Sequence, residues 1–250
     1  MSGHSKWSQI KRQKASVDIK RGQIFSKLAR AIAISAREGG SGDPDVNYKL
    51  RVAIETAKSF NLPKENIQRA IEAGLGKGGG VRLEEVTYEG FAQLGVQVLV
   101  EAVTDNKNRT ISEIKKVFEK NGGRMGSAGA VSWNFEKKGQ IVVKLASISA
   151  DEILTKAADA GADDIEVGES IVWVYCQPEK LAQVKKDLEA AGLAVESAEL
   201  VMKPKNIVKI TDAGLAKKVL NLVDSLDNLD DVQKVYANFD IPDELLVKSA

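Results

Sequence analysis

Basic residues crowd the beginning of the chain at spacings that suit contacts with phosphates. With Trp7 among them, they are the candidates for contacts with a nucleic acid: His4, Lys6, Trp7, Lys11, Arg12, Lys14, Lys20, Arg21, Lys27, Arg30 and Arg37. Closely spaced cations match the phosphate repeat of a nucleic acid, and binding releases condensed counterions. Trp7 has two interpretations, because it either stacks on an unpaired base or pins the terminal arm against the helices. The alternative for the cations is a solvated helix face.

The charge distribution also points to a polyanionic partner. Residues 1–82 contain 16 Lys and Arg against 7 Asp and Glu, a balance of +9, although the whole chain carries only +1. Residues 83–250 hold the opposite balance of −8, and residues 151–200 alone carry 4 basic and 12 acidic residues. A basic end of this kind is typical of nucleic-acid binding. The alternative is that basic and acidic domains simply pack together. The acidic region is a candidate surface for a protein partner.

Residues that commonly carry catalysis are sparse, so we predict that the protein is not an enzyme and holds no metal or cofactor. His4 is the only histidine, and Cys176 is the only cysteine and lies in an apolar run typical of a buried thiol. Residues 74–80 contain five glycines but lack the spacing of a P-loop, which favours a hinge with Lys77 as an added phosphate contact. The alternatives are an enzyme with an acidic cleft and a scaffold that binds no nucleic acid.

The sequence also bears on location. No run of about 18 apolar residues occurs, so we expect no membrane span. The charged N-terminus lacks the apolar region of a secretory signal, and the lone cysteine suits a reducing compartment. We therefore predict a cytoplasmic protein.

Helices dominate the predicted structure of residues 1–81. Between residues 16 and 37, apolar residues recur at helical spacing on one face, and four of the cations gather on the opposite face. A glycine-rich break over 39–44 precedes a second helix over 45–60, and a third helix begins at Pro63 and ends at Gly74. We expect the cationic face of the first helix to be open to water. Charge reversal of Lys20, Lys27 and Arg30 should then abolish binding with little loss of thermal stability.

Strands and helices alternate after residue 81. We predict strands over 86–91, 96–104, 130–135, 140–145, 170–176, 194–202 and 232–239, and a short strand that includes 166–167. We predict helices over 108–121, 150–160, 178–191 and 212–226. Residues 138–205 then have the order β-α-β-β-α-β, which is the ferredoxin-like split unit.

The pieces on either side of that unit are each incomplete, so we predict that they form one sheet together. The expected fold class is α+β with three domains. Residues 1–81 form an N-terminal all-α domain, and two ferredoxin-like α+β domains follow it. Residues 138–205 form the third domain, which is inserted into the second, made of residues 82–137 plus 206–250.

Several long motifs, in order along the chain, resemble those of one protein family. They are Met1–Trp7, Lys20–Gly22, Phe25–Leu28, Tyr88–Phe91, Thr104–Thr110 and Gly122–Trp133. On these motifs the chain resembles the YebC/PmpR family over essentially its whole length. The resemblance implies a three-domain bacterial cytoplasmic protein that binds DNA and regulates transcription. The family also includes mitochondrial activators of translation and bacterial members tied to ribosomes stalled on proline-rich stretches, so DNA and ribosomal RNA are both open as partners.

Two of these motifs supply secondary contact candidates. The residues are Asn106, Lys107, Asn108, Arg109, Arg124 and Met125. The first four join a strand to a helix whose first N–H groups can receive a phosphate, and the other two lie among small residues that allow close approach of RNA or protein. Turn formation is the alternative for both. The turn over 91–95 departs from the family pattern by having fewer glycines, so we expect it to be stiffer.

The function that these observations predict is a nucleic-acid-binding regulator of gene expression, specifically a DNA-binding transcriptional regulator. The alternative is a translation factor that associates with the ribosome or its RNA and relieves stalling on proline-rich stretches. Protein carboxylates bound to the cations of the first helix would argue against an exposed basic surface there.

Overall fold

The fold is that of a computed structural model of the chain. It describes Trp7 and residues 18–76, 83–145, 148–242 and 244–245, with the backbone alone for residues 18–21. The described residues form two compact units, one over residues 135–205 and a larger one from the residues on either side. Within the described ranges, no helix is both long and apolar enough to cross a membrane.

Three helices begin the larger unit. They are α1 (Asp18–Glu38), α2 (Tyr48–Ser59) and α3 (Lys64–Gly74). Both α2 and α3 pack on α1, around buried side chains that include Ile32 and Leu50. Gly74 allows α3 to approach α1 closely, since a Cβ on it would lie 2.1 Å from the backbone oxygen of Ala33. The periodic apolar residues of the sequence therefore form a small helical core.

A four-stranded antiparallel sheet completes most of the larger unit. Its strands are β1 (Glu84–Phe91), β2 (Gln97–Thr104), β3 (Arg124–Met125) and β9 (Val232–Ala237). The strand order is β3-β1-β2-β9. Two helices, α4 (Lys107–Lys120) and α7 (Ala213–Asp227), share a core with one face of this sheet. Two short strands, β8 (Val208–Lys209) and β10 (Phe239–Asp240), pair in parallel beside it.

The smaller unit, residues 135–205, has its own antiparallel sheet. Its elements are β4 (Phe135–Lys144), α5 (Ala150–Asp159), β5 (Asp164–Val167), β6 (Ile171–Cys176), α6 (Leu181–Ala190) and β7 (Val195–Pro204). The strand order is β5-β6-β4-β7. Because β6 is the second strand from one edge and is buried along its length, its sequence shows a continuous apolar run rather than alternation.

The predicted α+β class, with N-terminal helices followed by sheets, is confirmed. The predicted strand over 130–135 is wrong, because residues 132–134 form a 3₁₀ turn and one strand runs from Phe135 to Lys144 in place of two. The reason is a carboxylate: Glu89 accepts hydrogen bonds from the N–H groups of Gly129, Val131 and Ser132, which are therefore not available for strand pairing. The division of the larger unit into a helical domain and a sheet domain stays a prediction.

Candidate nucleic-acid interface

Trp7 is held inside the larger unit rather than presented to a base. Its side chain is only 4% exposed and belongs to the core that the sheet shares with α4 and α7. Its Nε1 donates to Asp224 Oδ1 on α7 at 3.2 Å. A ring buried to this degree has no surface left for stacking on a base. The structure therefore does not present Trp7 for base stacking. The Trp7 side chain contacts α7 and the sheet core rather than the N-terminal helices, and its role in holding the terminal arm stays a prediction.

Two of the predicted contact cations on α1 bind the end of α7. Lys27 Nζ donates to the backbone oxygen of Asp227 and lies 3.5 Å from Oδ1 of the same residue. Arg30 Nη1 donates to the backbone oxygen of Asp230 and to Asp231 Oδ1 at 3.3 Å. The C-terminal end of a helix carries partial negative charge, which favours cations at this position.

The cationic face of α1 is therefore not fully open to water. The side chains of Lys27 and Arg30 are 18% and 29% exposed, so the expectation of an exposed surface is wrong for these two. Arg37 is exposed, but its Nη1 donates to the backbone oxygen of Leu83. These contacts come from the protein itself, and a role of the three cations in nucleic-acid binding stays a prediction.

The other N-terminal candidates lie outside the described residues. They are His4, Lys6, Lys11, Arg12, Lys14 and Lys77. Lys20 and Arg21 belong to helix α1, but their side chains lie outside the described part as well. Contact between these residues and a nucleic acid stays a prediction.

The buried carboxylate of Asp231 accepts hydrogen bonds from side chains of α1, β2 and α4. Its side chain is 4% exposed. Oδ2 accepts hydrogen bonds from Thr104 Oγ1 at 3.0 Å, Thr110 Oγ1 at 2.8 Å and Arg109 Nη2 at 2.8 Å, and Oδ1 accepts from Arg30. Burial alone would raise the pKa of Asp231, but the hydrogen bonds from Arg109, Thr110 and Thr104 outweigh it and lower that pKa. Asp231 therefore links α1 to β2 and α4 as an anion.

The predicted contact loop before α4 lies beside this carboxylate. Asn106 caps α4, since its Oδ1 accepts from the Arg109 N–H at 3.1 Å, and Lys107 pairs with Glu84 at 2.6 Å. Asn108 is exposed. The Arg109 guanidinium forms ion pairs with Asp231 and Asp105, and these bonds raise its pKa. Helix capping and ion pairing within the protein thus explain most of the polar and charged side chains of this loop.

Arg124 and Met125 lie at the other end of the sheet. Met125 pairs with Gly90 and Arg124 with Phe91, at the end of β1, whereas Glu84 at its start pairs with Thr104 next to the other loop. Eight strand residues separate the two ends by about 24 Å. The structure therefore does not bring the two predicted contact loops together. The Arg124 guanidinium carbon lies 4.7 Å from the centre of the Phe91 ring.

The segment over residues 121–134, which we call the Trp133 loop, is built around the buried Glu89. Glu89 Oε1 accepts from Gly129 N at 2.9 Å, and Oε2 accepts from Val131 N at 2.5 Å and Ser132 N at 3.0 Å. Burial would raise the pKa of Glu89, but these backbone hydrogen bonds outweigh it and lower that pKa. One carboxylate from β1 thus fixes the shape of the loop.

Trp133 is an exposed aromatic residue that is not among the site candidates predicted from the sequence. Its side chain is 58% exposed, and its Nε1 donates to the backbone oxygen of Ala130 at 3.0 Å. The signal available in the sequence was a tryptophan in a glycine-rich segment, between Gly129 and a strand. Arg124 and Met125 are predicted from that segment as contact candidates, but Trp133 is not.

The described residues offer little for catalysis or metal binding. Cys176 is buried, and burial raises the pKa of its thiol to about 11, so it stays protonated at neutral pH. Across the described ranges, no group of three or more His, Cys, Asp and Glu side chains is arranged to hold a metal ion.

Family models match most of the chain. The TACO1/YebC protein N-terminal domain matches residues 5–77, and the TACO1/YebC second and third domain matches residues 83–239. The boundary between the two matches falls in the glycine-rich segment that the sequence indicates as a hinge.

Curated relatives and a solved structure match over nearly full length. A protein of Aquifex aeolicus called "Probable transcriptional regulatory protein" is 50% identical over 248 residues, covering 99% of both chains. A protein of Desulfotalea psychrophila with the same description is 50% identical over 250 residues, covering all of both chains. The crystal structure of a conserved hypothetical protein from Aquifex aeolicus is 48% identical, with a TM-score of 0.84, and covers 92% of this chain and 94% of the other.

Proposed function

Because the chain belongs to the TACO1/YebC family, we propose that it is a nucleic-acid-binding regulator of gene expression, and more specifically a DNA-binding transcriptional regulator. The names of its curated relatives support regulation of transcription. DNA as the direct partner is the finer part of the proposal.

The proposal depends most on where the positive charge lies in the sequence. Residues 1–21 contain six Lys and Arg against one acidic residue, whereas residues 22–76 contain eight against six. Lys27 and Arg30, which belong to the second group, already bind acceptors of the larger unit. We therefore assign the phosphate contacts chiefly to the terminal cations. Trp7 lies among them and anchors the chain at α7.

The helices themselves favour contacts with the phosphate backbone over base reading. Four residues, 60–63, join α2 to α3, and helix-turn-helix proteins use linkers of the same length. The charge of α3, however, does not suit a recognition helix. The α3 side chains carry balanced charge, with Lys64 and Arg69 against Glu65 and Glu72. A recognition helix normally meets DNA with a net positive face, so we expect binding with little sequence preference and strong salt dependence.

The test is a salt titration of binding with matched charge reversals. The variant Lys11→Glu, Arg12→Glu, Lys14→Glu should weaken duplex DNA binding and reduce the slope of log K against log salt by about 2 to 3. The matched control reverses three exposed lysines elsewhere, Lys186, Lys217 and Lys218, and should leave that slope unchanged. Equal losses in both variants would refute the assignment to the terminal cations.

Ribosome association is the second candidate, and the exposed Trp133 favours it because aromatic side chains recognise unpaired bases of RNA. Sedimentation of cell lysate through sucrose at two salt concentrations distinguishes the two. Comigration with ribosomes, together with equal affinity for promoter and scrambled duplexes, would reject the DNA-binding regulator. Travel at the top of the gradient with a clear promoter preference would reject the ribosome.

Several finer expectations belong to the same proposal. We propose that both sheet-bearing parts are ferredoxin-like, which the β-α-β-β-α-β order of residues 135–205 supports. A cytoplasmic location, the absence of enzymatic activity and of a cofactor, and a protein partner at the acidic residues 151–200 stay predictions.

A further inference from the structure

Trp133 is exposed in a way that the other two tryptophans are not. Its side chain is 58% exposed, whereas Trp7 and Trp173 are 4% and 2% exposed. The hydrogen bond from its Nε1 to the backbone oxygen of Ala130 restricts rotation of the indole. An exposed aromatic ring held in one orientation is what a stacking contact requires, because little conformational entropy is then lost on binding.

The loop that carries Trp133 is rigid for reasons that lie in the fold. Three of its N–H groups bind the buried Glu89 carboxylate, and Gly126 N donates to the Glu89 backbone oxygen at 2.8 Å. A Cβ on Gly126 would lie 2.9 Å from the Ala130 Cβ, so the loop is also closely packed. This support fixes the backbone of Ala130, to which the indole is bonded.

The charge around Trp133 suits a polyanion. Residues 90–97 and 121–134 lie at the same end of β1, since Phe91 pairs with Arg124. In these 22 residues Arg124 is the one charged side chain, although 28% of the whole chain is charged. Its guanidinium lies over the Phe91 ring at 4.7 Å. The same end of β1 thus carries one cation and an exposed aromatic ring, and neither segment contributes a carboxylate. The Glu89 carboxylate that binds the loop is buried and accepts from its backbone N–H groups, so this end favours a nucleic acid over a protein partner.

We propose that Trp133 is a stacking site for an unpaired base of a single-stranded nucleic acid, with Arg124 contacting a phosphate or a second base next to it. The bases of an intact duplex are stacked on one another, so their faces are not available to this indole. The proposal rests on the proposed nucleic-acid function and adds a preference for single strands. It places a contact at the Trp133 loop, separate from the terminal cations.

The test compares wild type with Trp133→Ala and Trp133→Phe. The probes are an oligouridylate of about 12 nucleotides and a duplex of similar length. Wild type should show tryptophan quenching by the oligouridylate that Trp133→Ala lacks. Trp133→Ala should bind the single strand about 5- to 150-fold more weakly with an unchanged salt slope, and Trp133→Phe should retain most of the affinity. Arg124→Gln should reduce the slope by about 0.7.

The control is Ile111→Ala, which removes another exposed apolar side chain, on α4, and should leave binding unchanged. The melting temperature of each variant checks that the fold is intact. If Trp133→Ala binds the oligouridylate as wild type does, the inference is wrong, and a loop that docks a protein would give this result. If binding then still depends on Lys11, Arg12 and Lys14, the proposed nucleic-acid function is kept. Equal quenching by the duplex also refutes it. If wild type binds neither probe, both proposals fail.

Discussion

Replacing Asp231 with Asn removes a buried negative charge on which four donors converge. Two of them, Arg30 and Arg109, are cations, and the other two are the hydroxyls of Thr104 and Thr110. The amide keeps the shape of the side chain but offers one oxygen in place of two and adds an N–H group. The threonine hydroxyls can rotate to accept from that group, so most of the loss comes from the two charge-assisted contacts.

The size of the loss follows from burial. Breaking a fully buried ion pair costs about 3 to 5 kcal/mol. Here the two guanidinium groups are 29% and 44% exposed and regain water when the charge is removed, so the cost is smaller. We expect the free energy of unfolding of the larger unit to fall by about 2 to 3 kcal/mol, which lowers its melting temperature by roughly 5 to 10 °C.

Trp7 provides the assay, because it is buried in the larger unit and bonded to α7. In a chain whose Trp133 and Trp173 are replaced by Phe, urea denaturation followed by fluorescence reports that unit alone. The matched control is Asp230→Asn, since the side chain of Asp230 is exposed and Arg30 binds only its backbone oxygen. The control should change the stability by less than about 0.5 kcal/mol. Equal stability of the two variants would refute the reasoning.

Three more predictions concern Asp231, Glu89 and two glycines of the larger unit. The folded state lowers the pKa of Asp231, so the contribution of this carboxylate to the free energy of unfolding is complete above its unfolded pKa of about 3.9 and is lost at lower pH. In urea titrations below pH 4, the stability difference between wild type and Asp231→Asn should therefore shrink. Glu89→Gln leaves at least one of three buried N–H groups without an acceptor and should cost about 1 to 3 kcal/mol, measured by denaturation, with faster amide exchange in the Trp133 loop. Gly74→Ala places a Cβ 2.1 Å from the Ala33 oxygen and should lower the melting temperature, whereas Gly22→Ala, with open space around it, should raise stability by up to about 1 kcal/mol.

Local pattern predicted the helices because helical spacing is a property of neighbouring residues. The first helix was predicted over 16–37 and lies over Asp18–Glu38, and the helix predicted over 212–226 lies over Ala213–Asp227. The strand predicted over 130–135 failed because Glu89, about 40 residues earlier in the chain, binds the N–H groups there. The two-residue strands β3, β8 and β10 are too short to show alternation.

The candidate site was less predictable than the fold, because side-chain partners are distant in sequence. A helical wheel shows that Lys27 and Arg30 share a face of α1, but it does not show what covers that face. The covering groups are residues 227–231, about 200 positions away. The same is true of Trp7, whose partner Asp224 lies 217 positions away.

The basic residues near the start of the chain therefore divide into two classes with opposite consequences for binding. A cation that already donates to a buried carboxylate, as Arg30 does to Asp231, would have to leave that carboxylate unpaired in order to reach a phosphate. Since an unpaired buried charge is costly, such a cation stabilises the fold and adds little to affinity. Charge reversal at Lys27 and Arg30 should therefore reduce the stability of the larger unit, which is the opposite of what an exposed basic face predicts. We therefore expect the terminal cations, rather than Lys27 and Arg30, to supply most of the phosphate contacts of the proposed nucleic-acid interface.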